Sequence, residues 1–238
     1  MMPSRISPIA RANATAARVR RAPGRSGRPL GKDAERSRGL ILQAAAQEFA
    51  RSGLGGARVD RIAAQAGVNV RMLYYYFRSK DDLFLAVLER AYETIRDAEL
   101  GLELDQVDPE EAVRRLVRFT WQFHFQHPEF ITLLNSENLH QGRHLDRSQR
   151  AAQLQSPLLE MIGRLLERGA RSGAFRSDVD PMQLYITIAA LGYFYISNRH
   201  TLGAIFQRDL MTPASRNERL AHMIEVVLGY LRSNGGKK

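Results

Sequence analysis

Apolar positions along this chain recur at three- and four-residue steps from about residue 37 to residue 232, the period of helices with one buried face, and no alternating β-branched run competes with them. The spacing predicts a first helix over 37–52, with Ile41, Ala44, Ala45 and Phe49 inward and Gly53 as its stop. Val59, Ile62, Ala63 and Ala66 define a short second helix whose opposite face carries Arg58, Arg61 and Gln65. Gly67 ends it, because glycine takes a left-handed backbone without steric cost. Asn69 is placed to cap a third helix over 70–77, its side-chain oxygen accepting a first-turn N–H. Ser79 with Asp82 opens a fourth, which Leu83, Phe84, Val87, Leu88, Ala91 and Ile95 continue to about residue 100. Two short helices around a Gly67-Val68-Asn69 turn are the layout of a helix-turn-helix. The fourth helix leaves this head and enters the body, so a signal between the two must travel through it.

Helix starts punctuate the rest of the chain. Asp108-Pro109 and Asp180-Pro181 each pair a cap with proline at the first helical position, Ser215 with Glu218 resembles a capping box, and His127-Pro128 ends one helix and starts another. Helices are predicted near 109–126, 128–139, 150–172, 181–200 and 216–232, with Pro157 either kinking the third of these or marking its true start. The fold class is all-α: a three-helix head, a long helix 4 and a helical body.

The third helix carries Arg71, Met72 and three tyrosines where a merely structural helix usually carries Glu, Lys or Ala. Ile62-Ala63, Ala66-Gly67-Val68, Leu73-Tyr74, Tyr76-Phe77, Ser79-Lys80 and Leu83 stand in an order and spacing that resembles the DNA-binding domain of the TetR family of bacterial one-component transcriptional regulators. The resemblance covers about 36–96, with the helix-turn-helix at about 59–78, and implies that 97–238 binds an effector and dimerises. It also implies a repressor bound to a palindromic double-stranded operator and released by a small molecule. The chain departs from the family where helix 2 begins: Ala57, Arg58 and Val59 stand where Thr or Ser is frequent, and Arg58 could replace the hydroxyl–phosphate contact with a charge-assisted one. In the expected DNA-binding set, Arg71 reads guanine, Val70 and Met72 touch thymine methyls, and Tyr74, Tyr76, Lys80 and Arg58 meet phosphates. Leu73 and Phe77 are assigned to the core.

Two stretches of the body stand out. Residues 184–196, LYITIAALGYFYI, are apolar all round the helix yet fall short of the roughly 20 residues that cross a bilayer. Such a helix needs a partner, and Ala189, Ala190, Gly192 and Ser197 are small enough to admit one. With Leu220, Met223, Ile224, Val227, Leu228 and Leu231 of the last helix it fits a homodimer formed through 181–200 and 216–232, which the resemblance also implies; the competing reading is an internal core helix.

The second stretch interleaves Phe119, Trp121, Phe123, Phe125 and Phe130 with His124 and His127, too many directions for one face. The effector-pocket candidates are Trp121, His124, Phe125, Glu137, Asn138 and Tyr193, with His140 nearby, for a flat, largely apolar, neutral or weakly polar compound; each also fits an ordinary core. His124 with His127, or His140 with His144, have helical spacing for a metal, so a metal-sensing regulator is an alternative, as is an architectural DNA-binding protein without effector. No His-Glu-x-x-His pattern, nucleophile elbow or phosphate-binding glycine loop occurs, so neither catalysis nor a cofactor is predicted.

Composition adds a tail. Nine of the basic residues lie in 1–36 against only Asp33 and Glu35, so +7 of the net charge of +10 sits there, among Pro3, Pro8, Pro23 and Pro29. Residues 1–35 are expected to be a disordered basic arm, serving either to reach along DNA phosphates or only to solubilise. The absence of cysteine excludes disulfides, thiolate zinc sites and cysteine nucleophiles, and the expected location is the bacterial cytoplasm, at the nucleoid.

Overall fold

A computed structural model describes residues 30–153 and 156–232; the basic arm predicted over 1–35 lies, up to residue 29, outside the described residues. Its helices are α1 (Leu30–Gly56), α2 (Val59–Gln65), α3 (Val70–Tyr76), α4 (Lys80–Leu100), α5 (Pro109–Gln126), α6 (Pro128–Leu139), α7 (Gln149–Gln153), α8 (Ser156–Arg171), α9 (Pro181–Ser197), α10 (Arg199–Phe206) and α11 (Pro213–Leu231). Among the described residues there is no strand, only an isolated bridge between Phe175 and Arg232. No helix among them is long and apolar enough to cross a membrane.

Caps set these boundaries. The side chains of Asn69, Ser79, Asp108 and Asp180 accept from Met72 N–H (2.7 Å), Asp82 N–H (3.0 Å), Glu111 N–H (3.0 Å) and Gln183 N–H (2.8 Å), each satisfying an otherwise orphaned first-turn donor. Gly53 and Gly67 take positive φ of 64° and 67°, so α1 breaks at Gly53 and α2 stops before the turn. Four boundaries differ from the sequence reading. The first helix starts at Leu30 rather than 37, so residues 30–35, expected to belong to a disordered arm, are helical and extend α1 by about two turns. The last helix starts earlier, because Thr212 rather than Ser215 caps it, accepting from Ser215 N–H at 3.2 Å. Pro157 sits in the first turn of α8, so it marks a start rather than a kink. The helix predicted to reach residue 200 ends at Ser197, capped by Asn198, whose side-chain amide donates to Phe194 O (2.9 Å), and the unpredicted α10 follows.

The apolar faces close two cores. Ile41, Ala45, Phe49, Ile62, Leu73, Leu83 and Phe84 bury the head, with Phe49 and Phe84 edge to face at 5.1 Å. Ile95, Val113, Leu116, Val117, Ile162, Leu165, Ile188 and Met223 are among those that bury the body. Helix α4 contributes to both, Leu83 to Leu88 in the head and Ile95 in the body. Leu133 of α6 belongs to the head core, and Leu54 N–H donates to Ser136 Oγ at 3.4 Å, so α1 and α6 form a second joint beside α4.

Candidate nucleic-acid interface and body sites

Helix α3 is seven residues long and only Leu73 on it is buried, with Phe77 at its C-cap buried as well, as assigned. One apolar anchor on so short a helix leaves its other faces to solvent: Val70 is 38% exposed, Met72 39%, Tyr74 44% and Tyr75 83%. Arg71 is exposed and forms no ion pair among the described residues, so all five guanidinium donors are available. Tyr76 differs from its predicted companions: it is half-buried against the head core, edge to face with Tyr75 at 5.4 Å. Tyr75, absent from the predicted set, is the more accessible; its signal was the run of three tyrosines, which cannot all share one direction on a helix.

At the start of α2 no side chain caps the helix; instead the carboxylate of buried Glu48, ten residues back, accepts Arg58 N–H at 3.2 Å. The Arg58 guanidinium is forked onto Asp60, Nε at 3.1 Å and Nη2 at 2.8 Å. Lys80 Nζ donates to Ala57 O at 3.2 Å, tying the first turn of α4 to the entry of α2, and its ammonium keeps further donors.

The six body candidates do not converge. Trp121 and His124 of α5 are buried side by side against Gly192, where an added Cβ would stand 3.3 Å from His124 Nδ1. That nitrogen is buried with no hydrogen-bond partner, and burial pushes the imidazole down to about 4, which keeps it neutral near pH 7. Tyr193 turns to α6 and donates to Asn135 Oδ1, whose amide donates to Ser197 Oγ at 3.1 Å. Phe125 lies at the surface under the Arg216 guanidinium, 4.2 Å from its ring centre, and Asn138 is exposed and donates to Leu134 O at 3.0 Å. Glu137 is buried and occupied: it accepts His144 N–H (2.8 Å) and Leu145 N–H (3.0 Å) and meets His144 Nδ1 at 2.6 Å. His144 in turn packs edge to face on Phe84 of the head at 5.1 Å. His127 Nδ1 is held by Glu129 at 3.0 Å, and no group of three or more His, Cys, Asp or Glu side chains set to hold a metal occurs among the described residues.

A cavity of about 600 Å³ opens elsewhere, between α1, α4, α5 and α6. Leu42, Ala46, Val87, Ala91, Phe130 and Leu133 form much of its wall, and Glu35, Arg38, Arg90 and His127 also line it. Of the predicted aromatic stretch, Phe123, His127 and Phe130 reach it; none of the six candidates does.

A three-helix head that buries one face of a short third helix, and offers an arginine and apolar side chains on the rest, defines a helix-turn-helix DNA-binding protein. Residues 41–87 match the model of bacterial regulatory proteins of the tetR family, and 109–227 that of the tetracyclin repressor-like C-terminal domain. The chain is 41% identical over 201 residues to the HTH-type transcriptional repressor NicS of Pseudomonas putida, covering 84% of this chain and 95% of NicS. It is 38% identical over 111 residues to the HTH-type transcriptional repressor SCO4008 of Streptomyces coelicolor, covering 47% and 54% of the two chains. Its fold resembles the crystal structure of the transcriptional regulator SCO4942 of Streptomyces coelicolor, with a TM-score of 0.61 and 26% identity over 82% of this chain and 98% of that one. The chain therefore belongs to the TetR family, and it is a DNA-binding transcriptional regulator rather than an enzyme.

Proposed function

We propose that this regulator is a repressor that binds a two-fold palindromic operator as a homodimer, one α3 in each major groove, and leaves it when a small molecule binds. The observation that carries this reading is the set of exposed, unpaired groups on α3. Arg71 can make the bidentate contact to guanine O6 and N7, and Val70 and Met72 suit thymine methyls. Tyr74, Tyr76, Lys80 and Arg58 flank them as phosphate contacts, with Arg58 and Lys80 already steadied by Asp60 and the Ala57 carbonyl. The likeness to the repressor NicS along most of both chains supports repression over activation, in the cytoplasm where the operator lies. In the body, His124, beside Trp121, is the pocket candidate with a buried polar atom left without a partner, Nδ1, whereas Tyr193 is bonded to Asn135. Glu137, Asn138 and Phe125 serve the body's own packing and surface.

Selection of operator sequences from a random library, followed by salt titrations, tests the reading. Arg71→Ala is expected to cost roughly 1–3 kcal/mol on the selected operator and little on scrambled DNA. Lys80→Ala should weaken both alike and flatten the salt dependence. Equal losses for Arg71→Ala on the two DNAs would remove it as the base reader.

A further inference from the structure

We propose that the cleft between α1, α4, α5 and α6, where the head meets the body, is a second small-molecule site, for an amphipathic organic anion. Its volume of about 600 Å³ lies in the range of small-ligand sites, roughly 300–1,000 Å³. Its walls are side chains that a ligand of flat apolar shape would cover, chiefly Leu42, Val87 and Phe130.

The charge of the ligand follows from the rim. Arg38 and Arg90 are both exposed and neither forms an ion pair among the described residues; Arg38 only lies over the Phe77 ring, 5.3 Å from its centre. Of the two carboxylates there, Glu129 is turned to His127 at 3.0 Å and Glu35 pairs with neither arginine among the described residues, so the two guanidiniums keep their donors for a ligand. A carboxylate or sulfonate head group would gain charge-assisted bonds from those guanidiniums while its apolar part covers the wall.

Occupancy bears on DNA because the walls belong to different bodies. Leu42 and Ala46 are on the head's α1, Phe130 and Leu133 on α6, and Val87 and Ala91 on the connecting α4. A ligand seated between α1 and α6 favours whichever spacing of the two it fits best, and so selects one attitude of the head on the body. This regulatory half rests on the repressor reading above; the binding half does not.

The test uses full-length protein with two probes of one shape, 8-anilinonaphthalene-1-sulfonate and its uncharged counterpart N-phenyl-1-naphthylamine. Gly39 lines the cleft, and a Cβ there would meet nothing within 4 Å, so Gly39→Trp adds a bulky side chain at the cleft from an uncrowded backbone position. Both probes should bind the wild type, and Gly39→Trp should abolish that binding. The exposed-site double variant Arg38→Gln/Arg90→Gln should weaken the sulfonate about tenfold and the neutral probe less than about twofold, since only the former uses the guanidiniums. The sulfonate should lower operator affinity of the wild type but not of Gly39→Trp. No probe binding, or binding unchanged in Gly39→Trp, overturns the site, and equal losses of the two probes in the double variant overturn its anion preference. Binding at the cleft with operator affinity unmoved overturns the regulatory half. A wild type without any specific operator would refute the repressor reading, and the fluorescence titrations would still decide the cleft.

Discussion

His124 shows what one residue's surroundings do to its chemistry. It is buried among Trp121, Phe130 and Gly192, its ring stacked on Phe130 at 6.1 Å, with no carboxylate against it. A folded-state value of about 4 against 6.5 in the unfolded chain means that, between those pH values, the unfolded chain takes up a proton that the folded one refuses. Stability therefore falls as pH drops through that window, by roughly 3 kcal/mol in all. Glu99 acts in the opposite sense, because burial lifts it to about 7 and the folded chain then binds its proton more tightly. The clean measurement is the difference between wild type and His124→Gln in urea unfolding at pH 7 and pH 4. The wild type should lose the larger amount; equal losses would show that His124 does not titrate as its burial dictates. At this scale the sequence is legible wherever the cause is local. Asn69, Ser79, Asp108 and Asp180 each bond a backbone N–H three residues on, and a reader of the sequence can see both ends of that bond. Glu48 holding Arg58 N–H, and Glu137 holding His144, span loops whose course no local pattern fixes, so the sequence alone does not show that the Glu137 carboxylate is occupied by His144 and Leu145.

Among the elements, α4 and α9 carry the architecture. Helix α4 buries Arg96 and Glu99 one turn apart, paired to each other, with Arg96 Nη2 donating to Tyr185 OH of α9 at 2.7 Å. Removing one partner of a buried pair strands the other charge, at a cost of roughly 3–5 kcal/mol, whereas replacing both by apolar groups is often neutral or better. In urea melts at pH 8, above the value to which burial lifts Glu99, Glu99→Ala should therefore destabilise by about 3 kcal/mol, and Arg96→Met/Glu99→Met should recover most of the loss. A double variant as unstable as the single one would mean that the pair anchors α4 to α9 through its bonds rather than merely coexisting there. The period of α9 was legible, but its meaning was only half so. Two stripes, each with members four residues apart, divide it: Leu184, Ile188, Gly192 and Ile196 face inward, while Met182, Ile186, Ala190 and Phe194 face out. Gly192 and Ser197, expected to admit a partner helix, instead face His124 and Asn135 within the body. Small size alone cannot say on which side a neighbour will stand.

For the whole molecule, the outward stripe of α9 is the decisive surface. Ile186 is 48% exposed and Phe194 57%, and on α11 Val226 and Tyr230 are 38% and 45% exposed, an apolar area that a lone protomer would leave in water. All-round hydrophobicity made this face legible in the sequence. The head–body cleft was not, because its walls come from α1, α4, α5 and α6, and no single stretch shows them together. A repressor reading successive major grooves needs two heads about 34–36 Å apart, and only a two-fold partner provides the second. Phe194→Glu places a carboxylate at the C-terminal end of the outward stripe and, Phe194 being already half exposed, should leave the protomer's own helix content intact by circular dichroism. In a homodimer whose two-fold axis passes through this stripe, the carboxylate would face its symmetry mate across an apolar contact and be repelled and desolvated at once. Sedimentation should then report a monomer, and affinity for a full operator should drop to that for a half-site while half-site binding itself stays unchanged. A variant that sediments as a dimer and keeps full operator affinity would move the two-fold axis away from α9 and α11.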